Sequence, residues 1–432
     1  MSKLGVLAAT AAFLGMTSFC LAADKPPEIK IGITTFLSGP ASVFGVPGKA
    51  SAELIVDEWN KQGGLAGVPV KLFFVDEGAG TQTMIAEYRR LVQEEKVDAM
   101  LASISSGNCQ VVAPLAEDLK VLNYMWDCST QRIFEEGKYR YVYRPQSYAT
   151  PEMLSTVLYM LRKKPDLKTI AVVNQDYAWG RDSWQMFSTA LKALKPDVKA
   201  VAELFPKFGA PDYSTEISRL QALRPDVVLS TTWGGDLDTF VRQSNQRGLM
   251  RQSLFVLPLV ESSLERLGAD LPEGVIVGGR GDNYFLNPEY KDKPDFKAFV
   301  EAFHKKTNAY PIYPVFHMAQ TLFALRNAYE KAMAANGGQW PSPEQVADAT
   351  KGITTEAYSR PITIREDGQG LADQLLGVSK RDPKYSFAVI DDMAVYPADK
   401  VSTPVGKHSA DWLKTLDPSI LDIKVATFKH QM

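Results

Sequence analysis

The sequence Ala102-Ser103-Ile104-Ser105-Ser106-Gly107-Asn108 joins a predicted apolar strand, residues 97–102, to a predicted helix that begins near Asn108. Ser, Asn and Gly at the start of a helix leave backbone N–H groups pointing outward and add donors of their own. Such a junction can hold a carboxylate or a phosphate, although an ordinary helix N-cap uses the same residue types. The stretch alone therefore leaves a ligand site and a helix cap as alternatives.

Predicted strands and helices alternate outward from this junction, from residue 29 to residue 278. Such alternation is the signature of parallel sheets built from right-handed crossovers. The next predicted strand, residues 121–126, also ends in polar residues, Asp127-Cys128-Ser129-Thr130. Because ligands bind beyond the carboxyl ends of strands in open parallel sheets, the two polar strand ends predict one shared site.

A second α/β series begins with a predicted helix at residues 151–163. Its strand ends carry aromatic residues beside glycine, notably Tyr177, Trp179 and Trp233, which we expect to line a facing cleft. The sequence therefore predicts an α/β fold with two doubly wound parallel-sheet lobes joined by a hinge. The predicted boundaries are residues 29–146 plus 276–350 for lobe 1, 147–275 plus 354–395 for lobe 2, and 396–432 for a C-terminal extension that is mostly surface.

The first residues have the pattern of a signal peptide, which we assign to residues 1–23. Lys3 is followed by an apolar run that ends in Ala22 and Ala23 at a plausible cleavage site. No later apolar run is long enough to span a bilayer, so the mature protein is expected to be soluble in the periplasm. Cys20 raises the alternative of a lipoprotein, but the bulky Phe19 before it argues against lipidation.

The overall composition is that of a soluble globular protein, with 45% hydrophobic residues, 23% charged residues and a net charge of -2. This balance gives no reason to expect a nucleic acid partner. The four histidines are scattered without ligand spacing, so we expect neither a metal nor a cofactor. Cys109 and Cys128 are interpreted as either a disulfide or two buried free thiols.

Three motifs together carry a family resemblance: Thr35-Phe36-Leu37-Ser38-Gly39-Pro40, the run Asn-Lys-Gln-Gly-Gly-Leu-Ala-Gly at residues 60–67, and Val75-Asp76-Glu77. Over roughly residues 29–390 the chain resembles the Leu/Ile/Val-binding family of type I periplasmic binding proteins. The resemblance implies a substrate-capturing component of an ABC importer. It implies a small carboxylate ligand held between the lobes, a membrane permease as partner, and a monomer.

The resemblance also implies which residues bind the ligand. In that family, groups after the third and fourth strands hold the carboxylate and the amine, roles that fall here on Ser106 and on residues 128–130. An aromatic of the first loop, matched by Phe44, covers the ligand, and an aromatic and an acid of the second lobe, matched by Trp233 and Glu261, close over it. The full predicted set comprises Phe44, Ser105, Ser106, Asp127, Cys128, Ser129, Thr130, Tyr148, Tyr177, Trp233 and Glu261.

The sequence departs from the family pattern at three of these places, one of which is Glu261, whose match requires a shift of about two positions. Phe44 stands where a tyrosine is common, and the bulky Met125, Trp126 and Asp127 precede the fourth-strand loop where small residues are usual. Branched-chain amino acids, aromatic amino acids and aromatic acids are therefore all expected ligand classes, and Asp127 faces either a ligand amine or a helix start. The alternatives are a secreted ligand-sensing accessory protein of a signalling receptor and, more weakly, a secreted α/β enzyme, for which the sequence offers no Gly-x-Ser-x-Gly elbow or phosphate loop.

Overall fold

The computed structural model describes residues 25–431, so the predicted signal peptide lies outside the described residues. The first sheet contains the strands β1 (Ile29–Thr35), β2 (Val70–Asp76), β3 (Ala99–Leu101), β4 (Leu122–Tyr124) and β5 (Val142–Tyr143). All of its neighbouring strands run parallel, in the order β2-β1-β3-β4-β5. This doubly wound order places a ligand crevice at the carboxyl ends of β1 and β3, where the order reverses.

The second sheet has eight strands, of which five come first in the chain. These are β6 (Thr169–Val173), β7 (Lys199–Leu204), β8 (Val227–Leu229), β9 (Leu254–Leu257) and β10 (Ile276–Gly278). A separate three-stranded sheet follows, formed by β11 (Thr354–Thr355), β12 (Ile362–Ile364) and β13 (Gly370–Leu371). The second sheet is then completed by β14 (Gln374–Arg381), β15 (Ala388–Tyr396) and β16 (Ala426–Phe428), in the order β16-β15-β14-β10-β9-β8-β6-β7.

Helices cover the faces of both sheets. Those that follow the strands of the first sheet are α1 (Ser42–Lys61), α2 (Thr81–Arg90), α3 (Ser106–Leu119) and α4 (Arg132–Glu136). The second series contributes α5 (Ala149–Lys163), α6 (Ala178–Leu194), α7 (Ser214–Leu223), α8 (Gly234–Gln246) and α9 (Leu264–Leu267). The remaining helices are α10 (Pro294–Thr307), α11 (Tyr313–Ala335), α12 (Pro343–Thr350), α13 (Ala398–Val401) and α14 (Ser409–Lys414).

Burial explains why the central strands form where they do. All residues of β3, β8 and β10 are buried, as expected for parallel strands covered by helices on both faces. The apolar stripe of α11 packs against α1, which fixes this late helix on lobe 1. Within the described residues, no helix has the length and apolar character needed to cross a membrane.

The chain passes between the lobes three times, after β5, after β10 and after α12. The predicted start of the late lobe 1 segment at residue 276 is wrong, because β10 pairs with β9 and β14 in the second sheet. The C-terminal extension also contributes more than surface. Its strand β16 pairs with β15, and α14 packs on α6 with Leu413 fully buried.

Candidate functional site

The junction after β3 is closed by a carboxylate from the neighbouring strand end. Glu77, directly after β2, accepts hydrogen bonds from the backbone N–H groups of Ile104 at 2.9 Å and Ser105 at 3.3 Å. The hydroxyl of Ser103 and the amide of Asn108, at 2.8 Å, donate to the same carboxylate. Burial raises the pKa of Glu77 above its ordinary value, although these hydrogen bonds lower it. Most donors of this junction therefore serve an internal partner rather than the cleft.

The predicted residues Ser105 and Ser106 have different roles in the structure. Ser105 is the N-cap of α3, and its hydroxyl accepts from the N–H of Asn108 at 3.4 Å. Ser106 lines the cleft, and its Oγ accepts from the N–H groups of Ser129 and Thr130, both at 3.3 Å. Ser106 thus joins the two polar strand ends, as the sequence pattern predicts.

A disulfide joins the same two strand ends a second time. Cys109 in the first turn of α3 is bonded to Cys128 in the loop after β4, with 6.5 Å between their Cα atoms. The structure therefore selects the disulfide from the two alternatives for these cysteines. Cys128 is consequently unavailable as a ligand-binding side chain, and its carbonyl accepts from Nη1 of Arg144 at 3.2 Å.

The central cation of the cleft is Arg280, a residue that the sequence analysis did not select. It follows β10, and its guanidinium donates to Asp127 Oδ2, to Glu152 Oε2, both at 3.2 Å, and to the hydroxyl of Ser129. Its side chain is only 5% exposed. Because Asp127 and Ser129 belong to lobe 1 and Glu152 to lobe 2, Arg280 ties the lobes together at the floor of the cleft.

Backbone geometry and aromatic contacts hold Arg280 in place. Its φ of +44° is in the left-handed region, which is unfavourable for an arginine and is typical of functional sites. The guanidinium carbon lies 5.3 Å from the ring centre of Trp179 and 5.0 Å from that of Tyr313. These distances are within the range of cation–π interactions. The signal was present in the sequence, since Gly279-Arg280-Gly281 directly follows an apolar strand.

Asp127 is engaged by His317 as well as by Arg280. Nδ1 of His317 lies 2.5 Å from Asp127 Oδ1, and Nε2 lies 2.7 Å from the carbonyl oxygen of Arg280. His317 thus bridges Asp127 and the backbone of Arg280. Asp127 therefore does not cap a helix, which was one of the two predicted roles.

Aromatic side chains of lobe 2 form the opposite wall of the cleft. Tyr177, Trp179 and Trp233 line it, and Nε1 of Trp233 donates to the hydroxyl of Tyr177 at 2.6 Å. Phe44 packs behind this wall, with its ring 5.1 Å from those of both Trp233 and Tyr313. Phe44 thus packs against the aromatic wall from behind and does not line the cavity.

The two lobes are closed on each other. The N–H of Gly235 in lobe 2 donates to the carbonyl of Pro40 in lobe 1 at 3.1 Å, and Thr130 Oγ1 donates to Asp182 Oδ2 at 2.5 Å. The remaining cavity has a volume of about 10 Å³, which is room for one water molecule. A larger ligand must therefore enter when the lobes are apart.

Two predicted site residues lie outside the cleft. The hydroxyl of Tyr148 accepts from the N–H of Thr403 at 2.8 Å, and its ring lines a different cavity. Glu261 accepts from the N–H of Tyr313 at 2.8 Å, because the turn Val260–Ser263 directs it to the start of α11. Burial raises the pKa of Glu261 to about 8. The structure thus gives neither residue a contact with the cleft cavity.

Comparisons with known proteins place this fold. The sequence matches the family described as periplasmic binding protein over residues 28–379. It is 26% identical over 302 residues to Leu/Ile/Val-binding protein homolog 7 of Brucella abortus, covering 67% of this chain and 73% of the relative. It is 23% identical over 368 residues to the leucine-, isoleucine-, valine-, threonine- and alanine-binding protein of Pseudomonas aeruginosa, covering 85% and 92%.

Solved structures show the same architecture. A solute binding protein of an ABC transporter from Rhodopseudomonas palustris, in complex with 3,4-dihydroxybenzoic acid, has a TM-score of 0.74 at 18% identity, covering 88% of this chain and 99% of that one. The leucine binding protein LivK of Thermotoga maritima has a TM-score of 0.69 at 21% identity, covering 86% and 99%. These findings confirm the predicted family and the two-lobed type I fold. The chain belongs to the periplasmic binding protein family.

Proposed function

We propose that this protein captures a small carboxylate in the cleft between its lobes and delivers it to the permease of an ABC importer outside the cytoplasm. The observation that carries the proposal is Arg280, the cation that lines the cavity, held between the rings of Trp179 and Tyr313. A guanidinium with aromatic neighbours suits a ligand that has a carboxylate at one end and an apolar or flat body.

In the proposed complex, different groups of the cleft contact different parts of the ligand. Arg280 and the hydroxyl of Ser106 meet the carboxylate, and the rings of Tyr177 and Trp233 cover the body. A ligand amine, where present, meets Asp127. Only the closed form makes both sets of contacts, so the ligand shifts the equilibrium between open and closed lobes.

The named relatives support two ligand classes for this site. The Pseudomonas aeruginosa relative is named as a binder of leucine, isoleucine, valine, threonine and alanine. Three solved neighbours contain 3,4-dihydroxybenzoic acid, benzoate and p-hydroxybenzoic acid. Charge favours the zwitterion over the plain acid, because Asp127 and Glu152 already bring two carboxylates to Arg280. We therefore propose branched-chain or aromatic amino acids first and aromatic acids second.

A thermal-shift and calorimetric panel tests this proposal on the mature protein. The panel contains L-leucine, L-phenylalanine, benzoate and 4-hydroxybenzoate, each with its primary amide as a neutral control. We expect one class to bind at a ratio of one ligand per chain and to stabilise the fold by about 2.7 kcal/mol at a hundredfold excess over Kd. Failure of every carboxylate, or conversion of a bound ligand into a product, contradicts the proposal.

The second candidate, an accessory sensor of a signalling receptor, shares the same binding chemistry. Uptake of the radiolabelled ligand by cells that lack this protein separates the two. Loss of uptake supports delivery to an importer, whereas normal uptake with a lost cellular response supports the sensor.

A further inference from the structure

A second cavity lies on the hinge side of the molecule, away from the cleft. Its volume is about 300 Å³, within the range of small-molecule sites. Its walls come from α4, from the chain crossing at Tyr148, from residues 365–369 and from residues 403–408 of the C-terminal extension. We call it the hinge cavity. It shares no lining residue with the cleft, and the loop after β4 separates them, since Ser129 lines the cleft and Gln131 lines the hinge cavity.

The interior of the hinge cavity presents hydrogen-bond acceptors. Gln131 is only 5% exposed, and its Oε1 has no hydrogen-bond partner among residues 25–431. Less than 1 Å² of that oxygen is accessible, so a ligand in the cavity does not reach it. Glu135 also lines the cavity, where its Oε1 accepts from the hydroxyl of Ser409 and its Oε2 lies 3.7 Å from Nδ1 of His408. A ligand with a positively charged donor pairs with the Glu135 carboxylate.

The rim of the hinge cavity carries two lysines, beside the exposed Glu136, which pairs with Arg132. Lys138 and Lys407 are exposed lining residues, and neither forms an ion pair within the described part of the chain. The rings of Phe134 and Tyr148 form apolar walls between rim and interior. The guanidinium of Arg144 fixes both rings, at 5.4 Å and 5.5 Å from their centres. The cavity therefore combines inner acceptors, apolar walls and outer cations.

We propose that the hinge cavity is a second ligand site, which takes a small zwitterion with a protonated amine and a carboxylate, such as a free amino acid. The ammonium group donates to Glu135 Oε2. The carboxylate faces Lys138 and Lys407, and the ligand's side chain packs on Phe134 and Tyr148.

The position of the hinge cavity couples it to the cleft. Arg144 is fully buried and donates through Nη1 to the carbonyls of Cys128 at 3.2 Å and Thr130 at 2.7 Å, in the loop that carries Asp127 and Ser129. Its Nε donates to Gln369, on a different passage of the chain between the lobes, at 2.7 Å. A ligand in the hinge cavity thus stabilises one arrangement of the cleft loop, and by linkage each ligand changes the affinity of the other by the same factor.

Calorimetric titration with three probes tests the hinge cavity: L-leucine, N-acetyl-L-leucine without the ammonium group, and 3-methylbutylamine without the carboxylate. The cavity variants are Lys407→Glu at the exposed rim and Glu135→Gln in the interior. Lys424→Glu, exposed on the same extension, is the matched control, and Ser106→Ala reports on the cleft. The rim variant keeps the test valid if the interior variant fails to fold.

We expect a leucine site that each cavity variant weakens by about tenfold, equivalent to about 1.4 kcal/mol. The same site persists in Lys424→Glu and Ser106→Ala, and both truncated probes bind it about tenfold more weakly than leucine. Two results overturn the proposal. One is the absence of any leucine binding at about 10 mM, a weak-affinity limit. The other is leucine binding that Ser106→Ala weakens about tenfold and that both cavity variants leave unchanged, because that site is the cleft.

Discussion

The two polar strand ends of lobe 1 have similar residues and opposite uses. After β3, the donors of Ser103, Ile104 and Ser105 are satisfied by Glu77, a carboxylate of the same lobe. After β4, Asp127 and Ser129 contact Arg280, which arrives from the second lobe and lies in the cleft. The donors of the first end are satisfied within lobe 1. Asp127 and Ser129 of the second end meet Arg280 only when the lobes close. Of the serines in the first end, only Ser106 lines the cavity, so most of that end serves the fold and the second end faces the cleft.

The largest expected effect comes from removing the carboxylate of the first strand end. Glu77→Ala leaves several buried donors without a partner, at about 1–3 kcal/mol for each group that finds no water. We expect the free energy of unfolding, measured in urea, to fall by about 4 kcal/mol. Glu77→Gln, which keeps one acceptor oxygen, is the control and should lose less. A loss for the alanine variant below about 1 kcal/mol would remove Glu77 from this role.

Breaking the disulfide between the strand ends should have the next largest effect. The double substitution Cys109→Ser and Cys128→Ser opens a loop with a sequence separation of 19 residues. Chain entropy alone predicts a loss of about 3 kcal/mol in the free energy of unfolding. Equal urea midpoints for wild type and variant would show that Ser106 suffices to hold the two ends together.

Removing the guanidinium of Arg280, which contacts the second strand end, should weaken ligand binding more than any substitution within that strand end. Arg280→Met is expected to weaken carboxylate binding about a hundredfold, or about 2.7 kcal/mol, measured by titration calorimetry. Arg280→Lys keeps the charge but loses the planar fork, so it should retain part of the affinity. Circular dichroism verifies the fold of both variants. If the Arg280→Met variant and the wild-type protein bind the ligand with equal affinity, the ligand does not contact this guanidinium.

Glu261 is a buried carboxyl that accepts from one backbone N–H group, whereas Glu77 accepts from several donors. The folded-state pKa of Glu261, about 8, exceeds the ordinary value of 4.5, so the folded protein keeps a proton that the unfolded chain has lost. The resulting stability is fully present below pH 4.5 and is lost as the pH rises towards 8. We expect Glu261→Gln, which keeps the acceptor for Tyr313, to reduce the loss of stability between pH 5 and pH 8 by about 2 kcal/mol. Parallel pH profiles for both proteins would contradict this.

The smallest expected effect separates two adjacent serines. Ser106→Ala should weaken ligand binding about tenfold, equivalent to about 1.4 kcal/mol, because Ser106 lines the cleft and anchors Ser129 and Thr130. Ser105→Ala should instead lower the free energy of unfolding by about 1 kcal/mol, the usual effect of losing an N-cap, with unchanged affinity. Calorimetry and urea unfolding on both variants test these two roles. An affinity loss in Ser105→Ala with no affinity loss in Ser106→Ala would contradict them.

Much of the fold follows from local patterns. Alternating apolar strands and amphipathic helices predict the first sheet and the parallel part of the second, whose strands β14, β15 and β16 pair antiparallel. Three short motifs predict the family. The placement of β10 was wrong because it depends on pairing with β14, whose first residue is nearly a hundred positions later. Strand pairing over such a distance leaves no local signal in one sequence.

The candidate site was less predictable for a related reason. Ser106, Asp127, Ser129, Tyr177 and Trp233 all come to the cleft because each follows a parallel strand of a sheet. Arg280 obeys the same rule, since it follows β10, and it was not selected although Gly279 and Gly281 mark a turn after an apolar strand. Glu77 and His317 act through partners far away in sequence, so their roles appear only in three dimensions.

The most direct test of the account is a comparison of acid and amide in the wild-type protein. Whichever carboxylate the panel identifies is titrated beside its neutral primary amide, which has nearly the same shape. Arg280 at the floor of the cleft predicts that the carboxylate binds about a hundredfold more tightly, a difference of about 2.7 kcal/mol. Equal affinities for acid and amide would contradict the central claim that the guanidinium of Arg280 recognises a ligand carboxylate.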